Sequence, residues 1–331
     1  MEGIWTDEIM IPANRVQPLK RIPATIKYSR ISYKEMLKLK PRCIYAGNID
    51  MLLVASHYKK HNPTVCIVYE IADLHRLIID RQKGIVKKIV SSFLKVSEKT
   101  SLKFIDCLVL TSMKFYDIYY KNFISRDKVI FMPNMPNNET FEGFTKKRHG
   151  RFTVGFIGWI RYKEQLKMLI NSAAAANVDV LFAGQDREGV EFEEYCKKFE
   201  HCTVLGKYDY TTEIQKIYQK VDCIYAVYDA DMTNVRVALP NKLYEAILCE
   251  LPMIVAKDTY LAEEVLDKGI GEAVDHKNGE ELTEVLKRLS TEHEYYKSLC
   301  DNCRIQKQLI NPNDYNEGLL KKMGEIIGNC S

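Results

Sequence analysis

Short apolar runs recur along this chain, and stretches of helical periodicity separate them. RCIYAG (42–47), TVCIVYE (64–70), CLVLTS (107–112) and KVIFMP (128–133) read as buried strands in the first half. Helices are predicted from about Ile49 to His61, over 82–104, and from the third strand to about Asn122. Strands covered on both faces read as continuous apolar runs, and parallel strands need long, usually helical, crossovers between them. The second half repeats the scheme more clearly. Its strands are FTVGFIG (152–158), VDVLFAG (178–184), CTVLG (202–206), DCIYAVY (222–228), LPMIVA (251–256) and a weaker GEAV (271–274). Helices are predicted near 162–176, 188–199, 211–220, 239–249, 259–268 and 277–290. This is the pattern of α/β sheets with helices on their faces, doubly wound in the second half. Further helices near 292–309 and 313–327 close the chain, separated by Pro312.

At 331 residues the chain is long enough for two domains. Residues 1–30 contain Pro12, Pro18 and Pro23 without clear periodicity and read as loop or short pieces. The stretch 133–151 combines Pro, Asn, Gly and a basic run, which is linker composition. The expected division is an N-terminal Rossmann-like domain over 1–135, a linker over 136–151, a C-terminal Rossmann-like domain over 152–290, and closing helices over 291–331. The basic run at 146–151 reads as solvated linker.

Hydrophobic content of 46% and charged content of 28% are those of a globular protein. No apolar run reaches the ~18 residues that a membrane span needs. The N-terminus lacks the basic-then-apolar order of a signal peptide. Of the ten cysteines, Cys43, Cys66, Cys107, Cys202 and Cys223 fall in strand-like segments, which points to reduced core thiols and a cytoplasmic location. Cys300 and Cys303 form one CxxC, with no second pair to complete a zinc site, and read as two thiols on one helix face. His57 and His61 lack the glutamate of a metalloprotease motif, so no metal is expected.

Charge divides unevenly. Residues 1–150 hold 26 Lys+Arg against 14 Asp+Glu, a net +12, and residues 151–331 hold 22 against 30, a net −8. A basic half fits nucleic acid, an anionic membrane surface or an anionic substrate. No nucleic-acid-binding motif accompanies it, which favours a lipid surface or a phosphorylated acceptor. In the helix over 82–104, Ile85, Val86, Ile89, Val90, Phe93, Leu94 and Val96 alternate with Lys83, Lys87, Lys88, Lys95 and Lys99. Such a helix either packs its apolar face into the core or lies on anionic lipid. Core packing is the expectation.

Ligands of open α/β sheets bind beyond the carboxyl ends of the strands. The run Gly155-Phe-Ile-Gly158 leads through Trp159 to Arg161 and Lys163 at a helix start. Glycine permits close backbone approach, and helix-start N–H groups with two cations suit a diphosphate. Gly184 and Gly206 end two further strands, followed by Gln185-Asp186 and Lys207-Tyr208. No GxGxxG fingerprint follows any strand. The most specific stretch is LPNKLYEAILCELPMIVA (239–256). Lys242 and Glu245 share one helix face there, suited to a phosphate and to a ribose diol.

With those residues in view, 152–289 resembles the C-terminal domain of GT4-type glycosyltransferases of the GT-B superfamily. The matching runs are VGFIGWIRYK, VLFAGQD, TVLGKY, DCIYAVYD, LPNKLYEAILCELPMIVA and GIGEAV. The resemblance implies two Rossmann-like domains facing a cleft, with the N-terminal one incomplete. It implies that Glu245 binds the donor ribose. Arg161, Lys163 and Lys242 become candidates for the diphosphate, and Lys207 and Tyr208 for the base side. Gly158, Gly184 and Asn241 complete the expected donor site. Many such enzymes carry an earlier glutamate where this chain has Val237. The loop 233–239 would then help hold the donor, with Asp229, Asp231 and Asn234 as polar candidates. The N-terminal half resembles the acceptor domain less closely, through Asn48-Ile-Asp50, VCIVYEIADLH (65–75), Glu98, Thr111-Ser112 and Pro133-Asn134. Asp73 or His75 would face the cleft as catalytic candidates. Only about 40 residues precede Ile44, and they lack the strand, glycine loop and helix that usually open this domain.

The resulting expectation is a glycosyltransferase, peripheral on the inner face of a membrane. It would move a sugar from a nucleotide diphosphate sugar to a glycan or lipid-linked acceptor, in surface polysaccharide synthesis. The resemblance implies retention of anomeric configuration and no cofactor or metal. Two other readings stand beside it: a non-catalytic partner subunit of a glycosyltransferase assembly, and a sugar-nucleotide epimerase on the same fold.

Overall fold

The computed structural model describes residues 8–12, 18–80, 84–146, 150–186 and 191–329. Lys83 and residues 147–149 of the basic run lie outside these, as do 188–190 at the start of one predicted helix. The chain divides into two compact units. One holds Met1–Met132 with Tyr315–Ser331, and the other holds Pro133–Asp314.

The first unit runs α1 (Pro18–Leu39), β1 (Cys43–Ala46), α2 (Ile49–His61), β2 (Cys66–Ile71), α3 (Arg76–Ile79), α4 (Ile85–Ser101), β3 (Cys107–Leu110), α5 (Met113–Ile118) and β4 (Val129–Phe131). Its strands pair in parallel in the order β1-β2-β3-β4. Parallel crossovers are right-handed in nearly all proteins, so a sheet that grows in one direction receives all its crossovers on one face. Alternate residues of a strand point to opposite faces. Tyr69 of β2 hydrogen-bonds Glu98 of α4, whereas Val68, Cys107 and Val109 form a core patch on the other face. After the second unit the chain returns to the first in a helix, α14 (Pro312–Asn329), whose residues from Tyr315 on belong to this unit and cover that patch. Its Leu319, Met323 and Ile326 pack there.

Residues 18–39 are helical, contrary to the loop expected across 1–30. Pro18 starts the helix, where its missing N–H has no partner to lose, and Pro23 is accommodated inside it. Ring contacts of Tyr33 with His57 and Tyr58 tie α1 to α2. The closing helices expected as a group over 291–331 are shared between the units, because α14 joins the first.

The second unit runs β5 (Thr153–Ile157), α6 (Lys163–Ala176), β6 (Asp179–Ala183), α7 (Glu191–Cys196), β7 (Cys202–Gly206), α8 (Tyr210–Tyr218), β8 (Cys223–Ala226), α9 (Thr233–Val237), α10 (Asn241–Leu248), β9 (Met253–Ala256), α11 (Tyr260–Asp267), β10 (Gly271–Val274), α12 (Gly279–Thr291) and α13 (His293–Leu309). The six strands are parallel, in the order β10-β9-β8-β5-β6-β7. The order reverses direction between β5 and β8, so helices cover both faces. Residues 233–237, expected as loop, form α9, and Pro240 stands just before α10. The core joins β5, β6, β8 and α6 to α12 through Phe156, Leu169, Phe182, Tyr225 and Leu286.

Described cysteines are free thiols. Cys300 and Cys303 sit on α13, where burial raises both thiols above their ordinary range. That leaves them as packed thiols with little thiolate character.

Candidate functional site

All six strands of the second unit are parallel, so their carboxyl ends share one edge. The reversal between β5 and β8 is the switch point at which open α/β sheets bind their ligands. Gly158 follows β5 with φ +128, and Tyr228 follows β8. The Lys242 ammonium lies between them. It is 5.4 Å from the Phe156 ring centre and 5.9 Å from that of Tyr228, within reach of a cation–π contact. A Cβ placed on Gly158 would sit 2.9 Å from Lys242 Nζ. Glycine at 158 is thus what allows the lysine to lie against the end of β5.

The strand ends interlock through backbone. Gly158 N–H donates to the Ala183 carbonyl at 2.7 Å, and Gly184 N–H donates to the Gly206 carbonyl at 2.8 Å. A Cβ on Gly184 would lie 1.8 Å from the Gly158 carbonyl oxygen, so only glycine fits. Beyond Gly158 the chain turns through Tyr162 in the left-handed region, at φ 56. Lys163, the first residue of α6, is 3.1 Å from Asp186, which follows β6. Its charge is therefore balanced within the protein. Arg161 is exposed on the intervening turn.

Glu245 lies on the inner side of α10 and is 4% exposed. Tyr210 donates to its Oε1 at 2.6 Å and Tyr218 to its Oε2 at 2.6 Å. Burial and the nearby Glu245 charge push Tyr208 up to about 12, and the same causes raise Tyr210 and Tyr218 further. All three phenols stay protonated, so Tyr210 and Tyr218 remain donors. Each carboxylate oxygen has two acceptor sites, so two remain after the tyrosines are counted. Sequence spacing links Glu245 to Lys242 but carries no sign of Tyr210 and Tyr218, which come from α8.

Val237 is buried in α9. Asp229 and Asp231 lie beside His276, which follows β10. His276 Nδ1 is 3.5 Å from Asp229, and Nε2 is 3.7 Å from Asp231. These are the residues among those described that a cation would use. The Lys277 ammonium already balances Asp231 at 2.6 Å. Lys207 and Asn241 are exposed, at the end of β7 and the start of α10.

In the first unit, Asp73 and His75 are exposed on the segment between β2 and α3. Neighbouring atoms partly desolvate the His75 ring and hold it below its ordinary value, favouring neutral imidazole. The first unit also holds a buried carboxylate. Glu98 accepts from Tyr69 at 3.1 Å and from Tyr119 and Tyr120 at 2.9 Å each.

A family model described as glycosyl transferases group 1 matches residues 137–306. The chain is 24% identical over 262 residues to the succinoglycan biosynthesis protein ExoL of Rhizobium meliloti (strain 1021), covering 75% of this chain and 64% of that protein. The matched region thus spans less than two thirds of that relative's length. Among solved structures, Alr3699/HepE from Anabaena in complex with UDP superposes with a TM-score of 0.68 at 15% identity, over 93% of this chain and 84% of that one. Sucrose-phosphate synthase from Thermosynechococcus elongatus superposes with a TM-score of 0.74 at 14% identity, over 95% and 81%.

Proposed function

Because the chain belongs to the group 1 glycosyl transferases and has the GT-B fold, we propose that it moves a sugar from a nucleotide diphosphate sugar to a glycan or lipid-linked acceptor. The setting is surface polysaccharide synthesis, with the protein working peripherally at an anionic membrane surface. The similarity to ExoL supports the polysaccharide setting, and the UDP complex of HepE supports a nucleotide donor.

The observation that carries the reading is the place of Lys242. Its ammonium lies against Gly158 at the switch point of the sheet, one helical turn from the buried carboxylate of Glu245. In this reading the ribose diol donates to the acceptor sites of Glu245 that Tyr210 and Tyr218 leave open. The diphosphate meets Lys242 beside the end of β5, with Arg161 and Lys163 at the periphery. Negative charge grows on the diphosphate as the sugar leaves, and these donors stabilise it. Lys207 and Tyr208 flank the base, and Gly184 and Asn241 shape the floor and rim. In the first unit Asp73 and His75 are assigned to the acceptor or the transferred sugar, and the reaction retains anomeric configuration.

Calorimetry with UDP, GDP and their sugars tests the donor site. Binding that Lys242→Ala and Glu245→Gln weaken supports it, and wild-type protein that binds none of these ligands sinks it in favour of a partner-subunit role. Product analysis with and without an acceptor then separates transfer from epimerisation.

A further inference from the structure

Helix α4 is turned inside out. Ile85 (78%), Val86 (72%), Ile89 (64%), Phe93 (66%) and Val96 (62%) are exposed, whereas Ser91, Glu98 and Ser101 of the same helix are buried. At about 100° per residue, the five apolar side chains fall within an arc of roughly 100°, and Ser91 and Glu98 fall on the opposite side. The core packing expected from the sequence is therefore not what the apolar face does. Glu98 explains the orientation. Three tyrosine hydroxyls from β2 and the segment after α5 hold its carboxylate inside, and that pins the polar side of α4 inward. Lys88, Lys95 and Lys99 lie on one flank of the apolar arc, by the same angular spacing. The Lys99 ammonium rests 5.3 Å from the ring centre of Phe123, itself partly exposed.

An exposed apolar stripe of this kind needs a cover, and its charge selects which one. A second copy's α4 would offer these lysines no exposed carboxylate, because Glu98 is the one acidic residue of the helix and is buried. An anionic lipid surface accepts the apolar side chains below the headgroups and pairs the lysines with phosphates. Among the described residues no helix is long and apolar enough to cross a membrane, so α4 lies along the surface. We propose that α4 is the element that seats this protein on an anionic phospholipid bilayer, with Ile85, Ile89, Phe93 and Val96 entering the interface and Lys88, Lys95 and Lys99 reading the headgroups. The proposal rests on the peripheral-membrane part of the function above and gives it a place.

The test is cosedimentation of the full chain with vesicles of phosphatidylcholine alone and of an equal mixture with phosphatidylglycerol. The expected result is binding to the mixed vesicles that falls as salt is raised. The Ile89→Ser/Phe93→Ser double variant changes only exposed side chains, and binding should drop by roughly ten-fold or more with its melting temperature held. Lys88→Glu/Lys95→Glu should remove the preference for the anionic lipid. Double-variant binding equal to wild type would overturn the role of α4 and leave the membrane reading standing. Failure of the wild-type chain to bind either vesicle would overturn both. A wild-type dimer that the double variant dissociates, without vesicle binding, would assign the face to a second copy instead. Calorimetry of the same variants with nucleotide stays at wild-type values in every case, which keeps the donor-site reading separate.

Discussion

Tyr218 and Glu245 meet in the interior of the second unit, with the phenol donating to carboxylate Oε2 at 2.6 Å and both residues buried. The two are 27 residues apart, on helices that lie either side of β8 in the chain. The contact holds the carboxylate ready to accept rather than leaving it to reach into solvent.

Removing that donor should weaken the protein. Tyr218→Phe leaves a buried carboxylate oxygen without its charge-assisted partner, and the loss should be about 1.5–3 kcal/mol in urea unfolding. Tyr210 is partly exposed, so Tyr210→Phe should cost less stability. It should instead raise the dissociation constant for the nucleotide, because Glu245 loses orientation at Oε1. Unchanged nucleotide affinity in Tyr210→Phe would argue against ribose recognition at Glu245.

The two strand-end glycines should tolerate alanine differently. At 184 a Cβ would collide with the Gly158 carbonyl at 1.8 Å, and the backbone there cannot yield without breaking the β5–β6 junction. Gly184→Ala should give little folded protein. At 158 the nearest atom is the end of a flexible lysine, 2.9 Å away. Gly158→Ala also meets strain from φ +128 but should fold with a loss of roughly 1–3 kcal/mol and with Lys242 displaced. Circular dichroism melts and nucleotide calorimetry read the two effects.

Lys163 and Asp186 form a pair in which the carboxylate side chain is 8% exposed. Lys163→Met would leave that carboxylate buried without its cation, a change of roughly 3–5 kcal/mol where burial is complete and less here. Asp186→Asn in the same chain should restore most of the lost stability, as a double-mutant cycle would show. If Lys163→Met instead lowers only donor affinity, the residue serves the ligand more than the fold.

Glu98 carries a pH dependence. Burial is the largest influence on it and raises its pKa, against the lowering effect of its three tyrosine donors. A carboxyl whose folded pKa exceeds its unfolded value stabilises the fold most below the unfolded pKa, about 4.3 for Glu. That contribution is lost as pH rises through the folded value. Melting temperatures of wild type and Glu98→Gln, compared from mildly acidic to neutral pH, should therefore differ by an amount that shifts against the wild type as pH rises. A difference that is flat with pH would show that Glu98 does not titrate in this range.

Much of the architecture was legible from periodicity. The runs at 202–206 and 271–274 coincide with β7 and β10, and the helix from Ile49 to His61 is α2 as read. Such features are written in adjacent residues, because a buried parallel strand must be apolar along its length and its crossover helix must show a face. The strand-end glycines and the Lys242–Glu245 pair were visible for the same reason, since they lie next to those runs or within one helical turn. Around Pro18 and Pro23 composition alone suggests loop, whereas a proline in the first turn of α1 suits a helix start.

The chain's own order of residues thus determined two parallel α/β units, their glycine-bearing strand ends, and the helix that carries Lys242 and Glu245. Tertiary structure decided what those side chains meet. Tyr210 and Tyr218 reach Glu245 across 35 and 27 residues, Asp186 takes up Lys163, and Glu98 turns α4 so that its apolar stripe faces outward. Periodicity says that a helix has two faces. Which face is buried depends on long-range partners, here three tyrosines around one carboxylate, and no local spacing encodes that choice.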